Sequence, residues 1–235
     1  MNILAMDTSN QTLGVALLRD GELIGSYITN VKKNHSVRLM PAVDDLMKEV
    51  GMEPEDLDQI VVANGPGSYT GVRIGVTTAK TLAWALNIPV KAVSSLELLA
   101  WQGRNSKHAI CPFFDARRGL VFTGLYEFKD GKAQLVRPEQ NILMEDWLHE
   151  LKNEGRPVIF LSPELSIHRE CIEAIMGDLA IIPNGANQYP NPADLAFCGL
   201  GKEGIQAGEL VPNYLRLAEA EAKWLESNKD REGNE

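Results

Sequence analysis

Cysteine is scarce in this 235-residue chain: Cys111, Cys171 and Cys198 stand apart, in no CxxC or paired spacing. That excludes a disulfide frame and a zinc knuckle. It fits three buried apolar thiols in a reducing compartment, so the expected location is the cytoplasm. Histidine is nearly as sparse. His35, His108, His149 and His168 form no close pair at helical spacing, so no histidine-held metal is expected. Positive charge is in deficit, with 23 Lys and Arg against 32 Asp and Glu, a net charge of -9 and a pI near 5.1. An acidic chain does not bind nucleic acid tightly by itself, although a local basic face can touch RNA within a complex. No apolar run approaches the ~20 residues that cross a bilayer. MNILAMDTS meets Asp7 before any apolar core, so no signal peptide is expected. GxxxxGK[ST] is missing as well, which excludes a Walker loop.

What is present is a repeated order of elements. NILAMD reads as a buried strand ending in Asp7, and TLGVALLRDGELIGSYI carries two apolar runs around Asp20-Gly21. Asp-Gly between strands marks a type I′ hairpin, because both central residues need positive φ. HSVRLMPAVDDLMKEV has helical spacing at Val37, Met40, Val43, Leu46, Met47 and Val50, with an irregular start expected around Pro41. A strand DQIVVAN, a helix over 71–87, a strand PVKAV and a short helix from Ser94 follow. Near Lys107 the order restarts. HAICPFFD ends in Asp115, GLVFTGLYEFKDGKAQLV turns at Asp130-Gly131, and helices and strands alternate again up to a helix over 192–207.

The expected fold is α/β, with two internally duplicated lobes facing each other as in actin, Hsp70 and the sugar kinases (the ASKHA fold). The expected division is a first lobe over 1–104, a shortened second lobe over 105–217 whose last helices cross back onto the first, and a charged tail over 218–235.

In that architecture ATP lies between the lobes, and the turn after the first strand holds phosphate and metal. MDTSNQTLG occupies this place, where Asp7, the hydroxyls of Thr8, Ser9 and Thr12, and the backbone at Gly14 could approach a phosphate. The same residues could instead do no more than satisfy strand-end amides. NGPGSYTGVRIGVTTAK offers a second anion site, with Gly65, Gly67 and Ser68 leading into a helix N-terminus. The alternative is a turn that tucks the helix against its sheet. Gly71, Gly75, Ala79 and Ala83 then fall four apart on one face, flanked by Val72 and Val76 and interspersed with Arg73 and Lys80. With His35, Arg38 and Leu39 on the preceding helix, this surface is expected to meet the equivalent pair on a partner. A charge at Val76 would then break association and leave the chain folded; ordinary burial within one domain is the competing reading. Trp84, Trp101, Trp147 and Trp224 read as core or half-buried packing residues.

The stretches MDTSNQTLGVALL, HSVRLMPAVDDLM, NGPGSYTGVRIGVTTAKTLAWALNIPV, DARRG and PNYLRLAEAEAKW resemble the bacterial TsaB (YeaZ) family, from residue 1 to about 224. The resemblance implies a role in forming N6-threonylcarbamoyladenosine at position 37 of tRNAs that read ANN codons. It implies a non-catalytic subunit that pairs with the catalytic paralogue TsaD and the P-loop ATPase TsaE. With TsaD absent, the self-complementary surface of the two helices is expected to support a homodimer, and tRNA is expected to be met only through the complex. TsaD carries a metal motif, His-Met-Glu-Gly-His, where this chain has SLELL. Ser95 and Leu99 replace the histidines and only Glu97 remains. Serine and leucine are poor substitutes for imidazole. No catalytic residue, metal or cofactor is therefore expected, beyond weak nucleotide binding at a complex interface. Asp7, Thr8, Ser9, Gly14, Gly65, Gly67 and Ser68 become a vestigial phosphate site. The competing reading is an active ATPase or small-molecule kinase, with Asp7 and Asp115 as its carboxylates. A metalloprotease fails on the missing histidines.

Overall fold

A computed structural model of the protein describes residues 1–31 and 33–216. The expected tail over 218–235, with Trp224, lies outside the described residues. The first lobe holds β1 (Asn2–Asp7), β2 (Leu13–Arg19), β3 (Glu22–Thr29), α1 (Leu39–Glu49), β4 (Gln59–Ala63), α2 (Tyr69–Leu86), β5 (Val90–Val93) and α3 (Ser95–Ala100). The second holds β6 (Ala109–Asp115), β7 (Leu120–Lys129), β8 (Lys132–Leu143), α4 (Met144–Asn153), β9 (Val158–Leu161), α5 (Leu165–Met176) and β10 (Ala180–Ile181), followed by α6 (Pro192–Leu200).

The duplication is visible in the pairing. One sheet runs β3-β2-β1-β4-β5 and the other β8-β7-β6-β9-β10. In each, the first strand is antiparallel to its hairpin and parallel to the strand on its other side. Both hairpins turn on Asp-Gly in the left-handed region, with φ of 51° and 84° at Asp20 and Gly21 and 52° and 72° at Asp130 and Gly131. The helix around Pro41 begins irregularly, as a 3₁₀ turn over His35–Val37 before α1. Ser68 caps α2 by accepting from the Gly71 N–H, and Asn87, at φ 54°, ends it.

Two expectations fail here. The helix over 192–207 stops at Leu200, because Gly201 and the polar stretch after it bring no apolar face to bury. Ile205 instead pairs antiparallel with Val90. α6 itself lies across β1 and β2 of the first lobe.

The second correction concerns the small-residue stripe. Gly71, Val72, Gly75, Val76, Ala79 and Ala83 are buried, and the apolar ones pack with Leu39, Leu4, Met6 and Val62 in the core between α1, α2 and the first sheet. The stripe lets α2 approach its own sheet, because a Cβ on Gly75 would lie 2.8 Å from Thr8 Oγ1. It is not free for a partner. Val76→Glu should therefore unfold the first lobe rather than release a folded monomer, since an unpaired charge would enter a close-packed core. Thermal melting followed by circular dichroism checks this: a cooperative melt within a few degrees of wild type would contradict it.

Candidate functional site

Between the lobes lies a cleft of about 1220 Å³, bounded by the turn after β1, the N-terminus of α2, the turn after β6 and residues 213–216. Of the expected phosphate-site residues Gly67 and Ser68 line it, whereas Asp7, Thr8, Ser9, Gly14 and Gly65 do not, and the polar groups of the site are already engaged. Thr8 Oγ1 donates to the Gly71 carbonyl at 2.7 Å, and the Ser68 N–H donates to the Ser9 carbonyl at 2.7 Å. Thr12 Oγ1 donates to Asn30 Oδ1. The glycines serve this contact. A Cβ on Gly67 would lie 2.1 Å from the Ser9 carbonyl oxygen, and one on Gly71 2.2 Å from that of Thr8. Gly65, at φ 105°, donates its N–H to Ser95 Oγ. Gly14 faces Pro192 of α6, 3.0 Å from where a Cβ would stand, so its backbone is covered rather than open to a phosphate. The geometry thus follows the tucked-turn alternative.

Asp7 is buried beneath this turn and accepts from the Ser9 N–H at 2.8 Å. Burial raises its pKa; the bonds from Ser9 and Asn10 and the nearby His35 offset this only in part. His35 donates Nε2–H to the Asn10 carbonyl at 2.9 Å, and its buried Nδ1 has no partner among the described residues. Arg38 reaches Thr29 Oγ1 at 3.2 Å.

The second lobe sets residues with no role assigned from the sequence beside Asp115, the carboxylate of the competing kinase reading. Asp115 accepts from His168 Nε2 at 2.9 Å, and His168 is buried. The next turn is strained: Arg117, Arg118 and Gly119 have φ of 66°, 57° and 76°. The adjacent arginines before a glycine in DARRG were the available signal, along with the position of this turn as the duplicate of the one after Asp7. Glu139 of β8 joins the lobes, accepting from Ser94 Oγ and the Tyr126 hydroxyl and, at 3.3 Å, from Asn213 Nδ2. Burial and this carboxylate push the Tyr126 hydroxyl pKa up. Ser95 and Leu99 are wholly buried on α3, which packs against β6 and β7. Among the described residues no group of three or more His, Cys, Asp or Glu could hold a metal ion.

Of the expected interface residues, Arg73 remains exposed and Lys80 half-buried, with Lys80 donating to the Gly208 and Leu210 carbonyls. Trp84 corrects the packing expectation: it is 78% exposed on the outer face of α2. Trp147 is buried and donates to Cys111 Sγ, whose thiol pKa burial pushes up to about 11. Cys171 is only half-buried.

Comparison with known proteins fits this arrangement. The chain is 58% identical to the tRNA threonylcarbamoyladenosine biosynthesis protein TsaB of Bacillus subtilis, across 97% of this chain and all of that one. The chain belongs to the TsaB family. Residues 22–224 also match the family model "TsaD: tRNA N6-adenosine threonylcarbamoyltransferase". The Escherichia coli TsaB is 31% identical over 64% of this chain and 65% of its own. YeaZ from Pseudomonas aeruginosa superposes with a TM-score of 0.75 at 29% identity, covering 91% of this chain and 99% of that one. Component A of an Acidaminococcus fermentans (R)-2-hydroxyglutaryl-CoA dehydratase reaches 0.50 at 12% identity, covering 85% and 97%, and shares the fold alone. The fold is thus the actin/Hsp70-like one. No helix among the described residues is long and apolar enough to cross a membrane.

Burial of Asp7 has a signed consequence. Its folded pKa lies above 3.8, so folding holds the proton more tightly than the unfolded chain does. Its contribution to stability is complete below that value and is lost as pH rises through the raised folded pKa. Asp7→Asn keeps the acceptor for Ser9 and carries no charge. The melting temperature of Asp7→Asn relative to wild type should therefore rise across that window and then level off. A difference independent of pH would mean that the buried charge costs nothing.

Proposed function

We propose that this chain is a non-catalytic subunit in N6-threonylcarbamoyladenosine formation on tRNA. In this reading it binds and supports the catalytic TsaD paralogue in the cytoplasm, with the P-loop ATPase TsaE completing the assembly. The observation that carries the proposal is the closed phosphate site. An ATPase or kinase needs donors aimed at transferring phosphate and a carboxylate available to a metal. Here Thr8, Ser9 and Ser68 bond one another's elements, and Asp7 is buried with its pKa raised. Ser95 and Leu99, at the positions of the paralogue's metal histidines, support the same reading. Ser95 Oγ accepts from Gly65, and Leu99 packs between the lobes.

The surface left for a partner is the outer face of the same two helical segments. Val37 is 67% exposed, Met40 43% and Trp84 78%. Exposed large apolar side chains on neighbouring elements suit a protein partner, and tryptophan is the residue most often energetically dominant there. The homodimer would use this face when TsaD is absent. In this reading the isolated chain hydrolyses no ATP, and the complex with TsaD and TsaE forms the modified nucleoside.

Trp84→Glu should weaken both the TsaD complex and the homodimer by at least about 2 kcal/mol, the cost typical of losing a dominant interface residue. Its melting temperature should stay near that of wild type. Light scattering, co-purification with TsaD and an assay for modified tRNA test this together. Wild-type association by the variant would place the interface elsewhere. ATP turnover by the isolated chain that disappears in Asp7→Ala would favour the kinase reading.

A further inference from the structure

We propose that the outer part of the interlobe cleft contacts single-stranded RNA, with Arg117, Arg118 and Arg216 facing backbone phosphates and the Tyr69–Tyr214 pair stacking a base. This deepens the proposed function and rests on it, because it gives the non-catalytic subunit a direct part in holding the tRNA.

The cations come first. Arg117 and Arg118 occupy consecutive left-handed positions and line the cleft. Neither guanidinium has a hydrogen-bond or ion-pair partner among the described residues. Strain of this kind persists only where the surroundings fix it, and here it directs two uncommitted cations into a cavity. Arg216 closes the same wall and donates to the Ala116 carbonyl at 3.4 Å, beside the arginine turn. Lys33 lines the opposite side.

The facing carboxylates are engaged. Asp115 accepts from His168 and from the Arg117 N–H, and Glu164 accepts from the Asp115 N–H. Among the described residues, four cations thus line one concave surface against two hydrogen-bonded carboxylates, in a chain of net charge -9. Concave surfaces focus such a local field.

The aromatic wall comes second. The Tyr69 and Tyr214 rings stack with centroids 5.3 Å apart at 26°. Arg73 lies 4.0 Å from the Tyr69 centroid and donates Nε–H to the Tyr214 hydroxyl at 2.8 Å. Both tyrosines remain about two-fifths exposed, which makes a platform rather than an enclosed pocket. Cations tracking a backbone beside an exposed aromatic platform are the means by which proteins bind single strands, whose unpaired bases are free to stack. A free nucleotide held by its phosphates in the inner cleft fits less well, because the turns at Thr8–Ser9 and Gly67–Gly71 fill that space.

The test is fluorescence anisotropy of the full chain with a labelled anticodon stem-loop RNA across a salt series, with ATP and inorganic pyrophosphate as separate probes. Wild type should bind the RNA at low salt, with affinity falling as salt rises. The double variant Arg117→Glu, Arg118→Glu should bind at least about tenfold more weakly. Its salt slope should be smaller by about 1.4, which is 0.7 for each lost single-strand phosphate contact. Tyr214→Ala should weaken binding about tenfold with the slope unchanged, as loss of stacking requires. If the double variant does not fold, Arg117→Gln with Arg118→Gln carries the same slope test.

Absence of RNA binding by wild type, binding of ATP or pyrophosphate without RNA, or an unchanged slope in the arginine variants overturns the proposal. Association of the same variants with TsaD is measured in parallel. Retained association with lost RNA contact, or with no RNA contact in any form, leaves the partner-subunit reading standing. Failure of wild type to bind TsaD removes that reading by a separate measurement.

Discussion

The close contact between the turn after β1 and the loop leading into α2 organises the first lobe. Backbone meets backbone there: the Ser68 N–H reaches the Ser9 carbonyl, Thr8 Oγ1 reaches the Gly71 carbonyl, and no Cβ fits at Gly67 or Gly71. The contact sets how deeply α2 lies on the sheet. That depth buries Val72, Val76, Ala79 and Ala83 and leaves Trp84 outside. The same contact engages the backbone and hydroxyl groups of the two turns with one another.

The two lobes share a strand order and differ at the ends of their first strands. Asp7 is sealed beneath its turn, whereas Asp115 sits at the cleft and is bonded to His168. One turn closes on a helix through small residues; the other projects two arginines from left-handed backbone.

The lobes are also joined by polar ties. Glu139 draws Ser94, Tyr126 and Asn213 together, and Asn213 donates its N–H to the Asn64 carbonyl at 2.7 Å. Leu96, Leu99 and Ala100 pack with Ile110, Phe114 and Tyr126 across the boundary. The segment that carries Tyr214 and Arg216 is thereby fixed beside the glycine loop, far from it in sequence. This is how an aromatic platform and a basic turn come to face one cleft.

The sequence by itself determined the elements and their duplication. Period-2 and period-3.6 patterns, Asp-Gly turns, a serine cap and Pro41 act within a few residues, so the strand–hairpin–helix order was legible, and with it the two-lobed α/β fold. It also showed that imidazole was missing at Ser95 and Leu99, since a residue type needs no geometry to be read. Which face of α2 looked inward was decided only in three dimensions. A stripe of Gly71, Gly75, Ala79 and Ala83 permits close approach to anything, and Thr8, whose carbonyl faces Gly71 and whose hydroxyl faces Gly75, lies more than fifty residues earlier in the chain. Trp84 looked like core because tryptophan usually is; the depth of α2 on the sheet put it outside. The pairing of His168 with Asp115 was likewise invisible, because it joins α5 to the end of β6 across the second lobe, and the meeting of Arg117 with Tyr69 and Tyr214 at one cleft was invisible because only the docking of two lobes brings those segments together.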